Sequence, residues 1–192
     1  MSRIENIQRR VDLHHSDRFF VDTNVWFWLT YAASNEIQTK NSPVRYQLER
    51  YPEFIEKILD EGASLYHSPL ALSELTNIIE RTEYETYLLS SGDDITRKEF
   101  RNIEELREKV MIEVSNAWSQ VTMMSETLEV KLDSALADHA LQTLNDYCLD
   151  AYDAFYVKSM SDYQITNIVT DDRDFHGLGL VLYTANNSLV NP

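Results

Sequence analysis

Apolar residues along this chain form two kinds of run. Short unbroken runs, Phe19-Phe20-Val21 and Val181-Leu182-Tyr183 among them, suit strands buried on both faces of a parallel sheet. Residues 64–67 (SLYH) and Ile168-Val169-Thr170 read the same way. Between these runs apolar positions recur at three- and four-residue spacing, the period of a helix with one buried face. Residues 24–33 (NVWFWLTYAA) predict a mostly buried helix, with Trp26, Phe27 and Trp28 packed in the core. Pro52 suits the first position of a helix carrying Phe54, Ile55, Ile58 and Leu59 and closed by Gly62. Ser68-Pro69 opens a long helix through Ile78 and Ile79, and Ser91-Gly92-Asp93-Asp94 makes a turn. Phe100, Ile103, Leu106, Val110, Val114, Ala117 and Val121 then mark one long amphipathic helix. Residues 69–124 thus form an elongated helical hairpin. Further helices are expected over 132–147 and 149–160. Strands separated by helices imply a parallel α/β sheet.

Composition narrows the class. A chain of 192 residues fits one domain spanning 1–192, with a long helical insertion at about 82–130. Four glycines and four prolines leave little room for flexible linkers. No apolar run approaches the roughly 20 residues of a spanning helix, so no membrane is expected. The first eighteen residues carry basic side chains but no apolar stretch, so they are not a secretory signal. One cysteine, Cys148, excludes an internal disulfide and is expected in the core; the expected compartment is the cytoplasm.

The formal net charge is −15, unevenly spread. Residues 1–50 hold seven Lys/Arg against six Asp/Glu, whereas residues 51–192 hold ten against 26. Such a field argues against a sequence-independent nucleic-acid coat. It leaves room for an enzyme that meets phosphates through bound cations, and it suits a basic partner protein.

Four acidic islands carry the chemistry: Asp22 in RFFVDTNVW, Glu74 in ALSELTNII, Asp153 in DAYDAFYV, and Asp171, Asp172 and Asp174 in IVTDDRDF. In a parallel sheet the helix after each strand starts at the rim where the strands' carboxyl ends lie, and ligands bind there. All four islands therefore belong to one edge, whatever the strand order. Alone, each has a plain explanation. An Asp after a strand is more often a helix cap, Glu74 a solvated helix residue, and the Asp171–Asp174 stretch an acidic turn. A calcium loop fits badly, since its glycine and terminal glutamate are missing. Convergence changes the reading, because oxygen ligands on one rim suit Mg²⁺ or Mn²⁺. Two carboxylates about 4 Å apart would repel by about 4 kcal/mol at an effective dielectric near 20, which predicts raised pKa values without a cation. A phosphoryl-accepting rim is disfavoured, since only one Asp follows the first strand.

In order and spacing, Val21-Asp22-Thr23-Asn24, Ser73-Glu74-Leu75, Tyr152-Asp153-Ala154-Phe155 and the Val169–Phe175 stretch resemble the signature of PIN-domain nucleases, the VapC-like bacterial toxin ribonucleases and their relatives above all. The resemblance implies a three-layer α/β/α fold around a short parallel sheet, with the helical hairpin as an addition. It implies a Mg²⁺- or Mn²⁺-dependent endoribonuclease acting on RNA, as a toxin of a toxin–antitoxin pair or an RNA-processing enzyme. Carried over, Asp22, Glu74 and Asp153 would be the principal metal carboxylates, Asp172 the fourth catalytic acid, and Asp174 a supporting ligand. Thr170 and Asn24 would orient Asp22. Asp150 is an alternative to Asp153. Partners implied are RNA, a small basic antitoxin and a second copy of the chain. Arg173, Lys158 and Arg81 could reach phosphates, although each reads more readily as a solvated side chain. The five histidines show no metal spacing. The rival reading is a non-catalytic PIN-like module acting through its hairpin.

Overall fold

Six short strands lie parallel in the order β1-β6-β5-β2-β3-β4 in the computed structural model, which describes residues 2–40 and 42–191. They are β1 (Arg3–Asn6), β2 (Arg18–Val21), β3 (Ser64–His67), β4 (Glu126–Thr127), β5 (Asn167–Val169) and β6 (Val181–Thr184). The helices are α1 (Thr23–Thr30), α2 (Arg45–Asp60), α3 (Ala71–Ser91), α4 (Arg97–Asn102), α5 (Glu104–Met124), α6 (Ser134–Asp146), α7 (Ala151–Asp162) and α8 (Asn187–Val190). The central strands β2, β5 and β3 are those the apolar runs predict. The expected three-layer α/β/α architecture is present.

Alternation along the strands builds the layers. Phe19, Val21, Leu65 and Val169 join one apolar cluster with α1, α2, α3 and α5. Phe20, Tyr66, Ile168 and Leu182 join a second with Tyr156 and Met160 of α7, Phe175 and Leu189. Successive side chains of a strand point to opposite faces, so a sheet covered on both sides needs this unbroken apolar run. Trp26 is fully buried in the first cluster, and Phe27 and Trp28 are buried beside it, as their spacing predicts.

Three expectations change, and strand β1 was not expected. The helix expected to start at Pro52 begins at Arg45 and holds Pro52 in its interior. Proline removes one helical hydrogen bond, but the preceding turns anchor Tyr46, Gln47 and Tyr51 on Asp171, which offsets the loss. The single helix expected through Ile103 is two, because Ile103 is extended (φ −82°, ψ 113°). The break lets Arg97 and Arg101 of α4 and Arg107 of α5 all reach the buried Glu80 of α3. The N-terminal segment holds β1, which pairs with the outer edge of β6; its sequence RIEN has no apolar alternation to announce it. Cys148 is exposed in the α6–α7 connection rather than buried.

The hairpin stands as α3 and α5, which pack on each other and on α1. Gly92 closes α3 with φ +73°, a left-handed conformation that glycine adopts without strain. Residues 82–130 comprise the second half of α3 together with α4, α5 and β4. Val110, Val114, Ala117 and Val121 of α5 are buried in the main cluster. Among the described residues no helix is long and apolar enough to cross a membrane.

Candidate metal centre

Asp22 stands where β2 ends and α1 begins. Its N–H donates to the Val169 carbonyl (3.1 Å), extending the β2–β5 ladder by one bond. Its carbonyl accepts from Val25 and Trp26 (3.0 and 3.2 Å), which starts α1. It thus occupies the cap position, yet its side chain makes no cap hydrogen bond. The carboxylate turns to the sheet rim instead, where the Thr170 hydroxyl donates to Oδ2 at 2.8 Å. Asp22 is 2% exposed. Burial, then the charges of Glu74 and Asp172, push its pKa well above the ordinary carboxylate range. The Thr170 hydroxyl and the nearby Asn24 amide hold it partly down. Among the described residues the Asn24 side chain makes no hydrogen bond to Asp22, so its backbone amide alone acts there.

Glu74 lies in the first turn of α3. Ser68, expected as the cap of this helix, accepts from the Leu70 N–H at 3.2 Å in the tight turn that precedes it. The Tyr156 hydroxyl of α7 donates to Glu74 Oε2 at 2.7 Å, and the Thr23 hydroxyl lies 3.1 Å from Tyr156 Oη. Burial is the main cause raising the Glu74 pKa, with Asp150 and Asp172 adding to it; the Thr23 and Tyr156 bonds oppose the rise. Tyr156 in turn is pushed far above the ordinary phenol range, first by burial and then by Glu74. It stays a neutral donor.

Asp153 occupies the first turn of α7, whose cap is Asp150: Asp150 Oδ1 accepts the Asp153 N–H at 3.0 Å. The two candidates therefore divide, with Asp150 exposed at the helix end and Asp153 buried beneath it. Burial, then Asp22, Asp150, Asp172 and Glu74, push the Asp153 pKa up to about 9. Asp172 follows β5; its N–H donates to Thr170 Oγ1 at 2.9 Å, and its Oδ1 accepts the Asp174 N–H at 2.8 Å. Its pKa is raised first by burial, with the Asp174 N–H opposing. Asp174 is exposed at the outer lip. Asp171 leaves the rim altogether: its carboxylate accepts from Tyr51 (2.6 Å), Tyr46 (2.9 Å) and Gln47 (2.8 Å) of α2.

The structure thus brings Asp22, Glu74, Asp153 and Asp172 within electrostatic range of one another, although they come from four separate elements. Among the described residues no three acids, histidines or cysteines close into a ready-made cage. The electrostatic coupling and the missing cage are compatible, because Mg²⁺ is held by one or two carboxylates and keeps several waters. No cation figures among the leading influences on any of the four groups. An all-oxygen, uncompensated anionic pocket is the donor set that a hard divalent cation fits.

Two members were not anticipated from the sequence. Thr23 sits inside the VDTNVW motif, and Tyr156 lies one helical turn after Asp153, on the same face of α7. That i, i+3 spacing was the available signal for Tyr156. Tyr46, Gln47 and Tyr51 carried none, since nothing in the sequence aims α2 at Asp171.

Residues 19–179 match the family model of the PIN domain, which spans every acidic position described above. The chain belongs to the PIN domain family, whose members are generally nucleases. No curated protein matches the chain.

Proposed function

We propose that this protein is a Mg²⁺- or Mn²⁺-dependent endoribonuclease that hydrolyses RNA phosphodiester bonds, as the toxin of a toxin–antitoxin pair or as an RNA-processing enzyme. The observation that carries the proposal is the convergence of four uncompensated carboxylates from four elements on one rim, inside a PIN domain. In this reading one or two of Asp22, Glu74, Asp153 and Asp172 bind the cation directly and the others reach it through its retained waters, with Asp174 adding a water-mediated contact at the lip. A bound divalent ion would lower the pKa of a coordinated water and stabilise charge on the leaving oxygen.

The chain's own residues supply placement. Thr170 fixes Asp22 and the Asp172 backbone together through one hydroxyl. Tyr156 donates to Glu74 and meets Thr23, the residue after Asp22, so one tyrosine links the Glu74 side chain to the start of α1. Second-sphere bonds of this kind fix ligand orientation. A small basic antitoxin, a homodimer and a cytoplasmic setting complete the proposal, the first because the surface is strongly acidic.

The test is incubation of unstructured RNA with the purified chain under Mn²⁺, Mg²⁺ or chelator. Cleavage that needs metal and is lost in Asp22→Asn and Asp153→Asn supports the proposal; variants that cut as fast as the parent overturn it. Failure to cut with any divalent metal would shift the reading to a non-catalytic module. In that case Ile112 and Met123, 54% and 82% exposed on α5, mark the surface to test.

A further inference from the structure

A cleft of about 410 Å³ opens beside the carboxylate rim. It is lined by Tyr147 and Cys148 from the connection that leads into α7, by Arg173, Asp174 and His176 from the loop after β5, and by residues of β1 and α8. The volume falls in the range of pockets that take a small organic ligand. Asp22, Glu74 and Asp153 are not part of the cleft, so it is a second compartment. Both its walls nevertheless continue into the acidic rim. Cys148 stands two residues before the Asp150 cap of α7, and Arg173 directly follows Asp172.

We propose that this cleft is a nucleotide subsite that seats one nucleotide of a single-stranded RNA next to the bond being cut, with its base on the Tyr147 ring and its phosphate on Arg173. The proposal rests on the nuclease reading and adds to it where the strand lies. Tyr147 is 44% exposed and lines the cleft, so its ring is accessible to a ligand there. Among the described residues Arg173 is exposed and makes no ion pair. By contrast Arg97, Arg101, Arg107 and Lys109 are engaged by Glu80 and Glu83. A molecule of net charge −15 cannot hold RNA through a broad basic face. Stacking on an aromatic ring supplies affinity without charge and tolerates any base. His176 offers a ring nitrogen to the sugar or phosphate.

Cys148 is the chain's single cysteine and lines the cleft, so its alkylation reports occupancy directly. The probe is a non-cleavable, 2′-O-methylated single-stranded oligonucleotide in Ca²⁺, with N-ethylmaleimide as the alkylating reagent. At an oligonucleotide concentration about ten times its Kd, alkylation should slow about tenfold, since only the empty cleft reacts. Tyr147→Ala should raise the Kd about tenfold by removing the stack, and Arg173→Ala should weaken binding and flatten its salt dependence. Lys98→Ala, at an exposed position of α4, should change neither, and circular dichroism checks that each variant is folded. Unchanged alkylation while fluorescence anisotropy shows the oligonucleotide bound overturns the subsite, as does absence of binding. Mn²⁺-dependent cleavage measured in parallel separates the two ideas. Cleavage with an unchanged KM in Tyr147→Ala removes the subsite and leaves the nuclease standing. Protection without cleavage does the reverse.

Discussion

The Thr170 hydroxyl donates to Asp22 across 148 positions of sequence, at 2.8 Å, and the same oxygen accepts the Asp172 N–H at 2.9 Å. One fully buried side chain therefore sets the relative position of two acids that leave neighbouring strands. Thr170→Val keeps the shape and removes both bonds. Cleavage should fall by about 10- to 100-fold, with weaker Mn²⁺ affinity, as for other outer-sphere supports. Steady-state kinetics across a Mn²⁺ titration checks this, and a variant with parental metal dependence would show that Thr170 is structural alone.

Raised carboxyl pKa values make a statement about stability. In the folded, metal-free chain burial and the neighbouring acids push the Asp153 pKa from 3.8 up to about 9, so between those values the native state holds a proton that the unfolded state has lost. Stability from this group is present below the unfolded value and is lost as pH rises through the folded one. In chelator this group's contribution to the melting temperature should therefore fall from about pH 4 to about pH 9, and Asp153→Asn should shrink that fall. Added Mn²⁺ should oppose the loss in the parent and not in the variant. Thermal melts over a pH series with and without chelator read all three.

Asp172→Asn should raise the melting temperature in chelator, because it removes one of several facing charges while its amide oxygen can still accept the Asp174 N–H. The same variant should gain less from Mn²⁺. A lower melting point in chelator would contradict a crowded carboxylate site.

Tyr51 ties α2 to the ends of β5 and β6. Its hydroxyl contacts Asp171 Oδ1 (2.6 Å), the Thr170 carbonyl (3.1 Å), Thr184 Oγ1 (3.1 Å) and the Ala185 N–H (3.1 Å). Tyr51→Phe strips these buried partners and should cost about 1–3 kcal/mol. Chemical denaturation measures the loss. Glu80→Gln, which weakens the hold on three arginines at the α3–α4–α5 junction, should also lower stability. Its cleavage rate per folded molecule should stay at the parental level, since Glu80 lies outside the acidic rim.

Much of the site was legible because it follows from topology. Asp22 directly follows β2, Asp172 lies three residues past β5, Glu74 opens the helix after β3, and Asp153 opens the helix that runs back to β5, so the four could be grouped at one rim without knowing the strand order. Ser68-Pro69 likewise placed the opening of α3 to within one turn, although Ser68 binds the Leu70 N–H before the helix and does not cap it. What stayed hidden depends on partners distant in sequence. β1 is a strand only because β6 offers it an edge. α2 begins seven residues before Pro52, in turns that Asp171 anchors through Gln47 and Tyr51. Cys148 lies in an apolar-looking stretch that turns out to join two helices, where local pattern cannot distinguish core from cleft wall. The division of TDD between rim and α2 is equally a tertiary event, since adjacent side chains had no reason to part in the sequence alone.

Calorimetric titration of Mn²⁺ into the metal-free chain and into Asp22→Asn and Asp153→Asn tests the account most directly. Saturable binding in the parent that is lost or much weakened in both variants, though they arise from elements over a hundred residues apart, is the predicted result. Parental affinity in either variant would contradict a shared cation pocket.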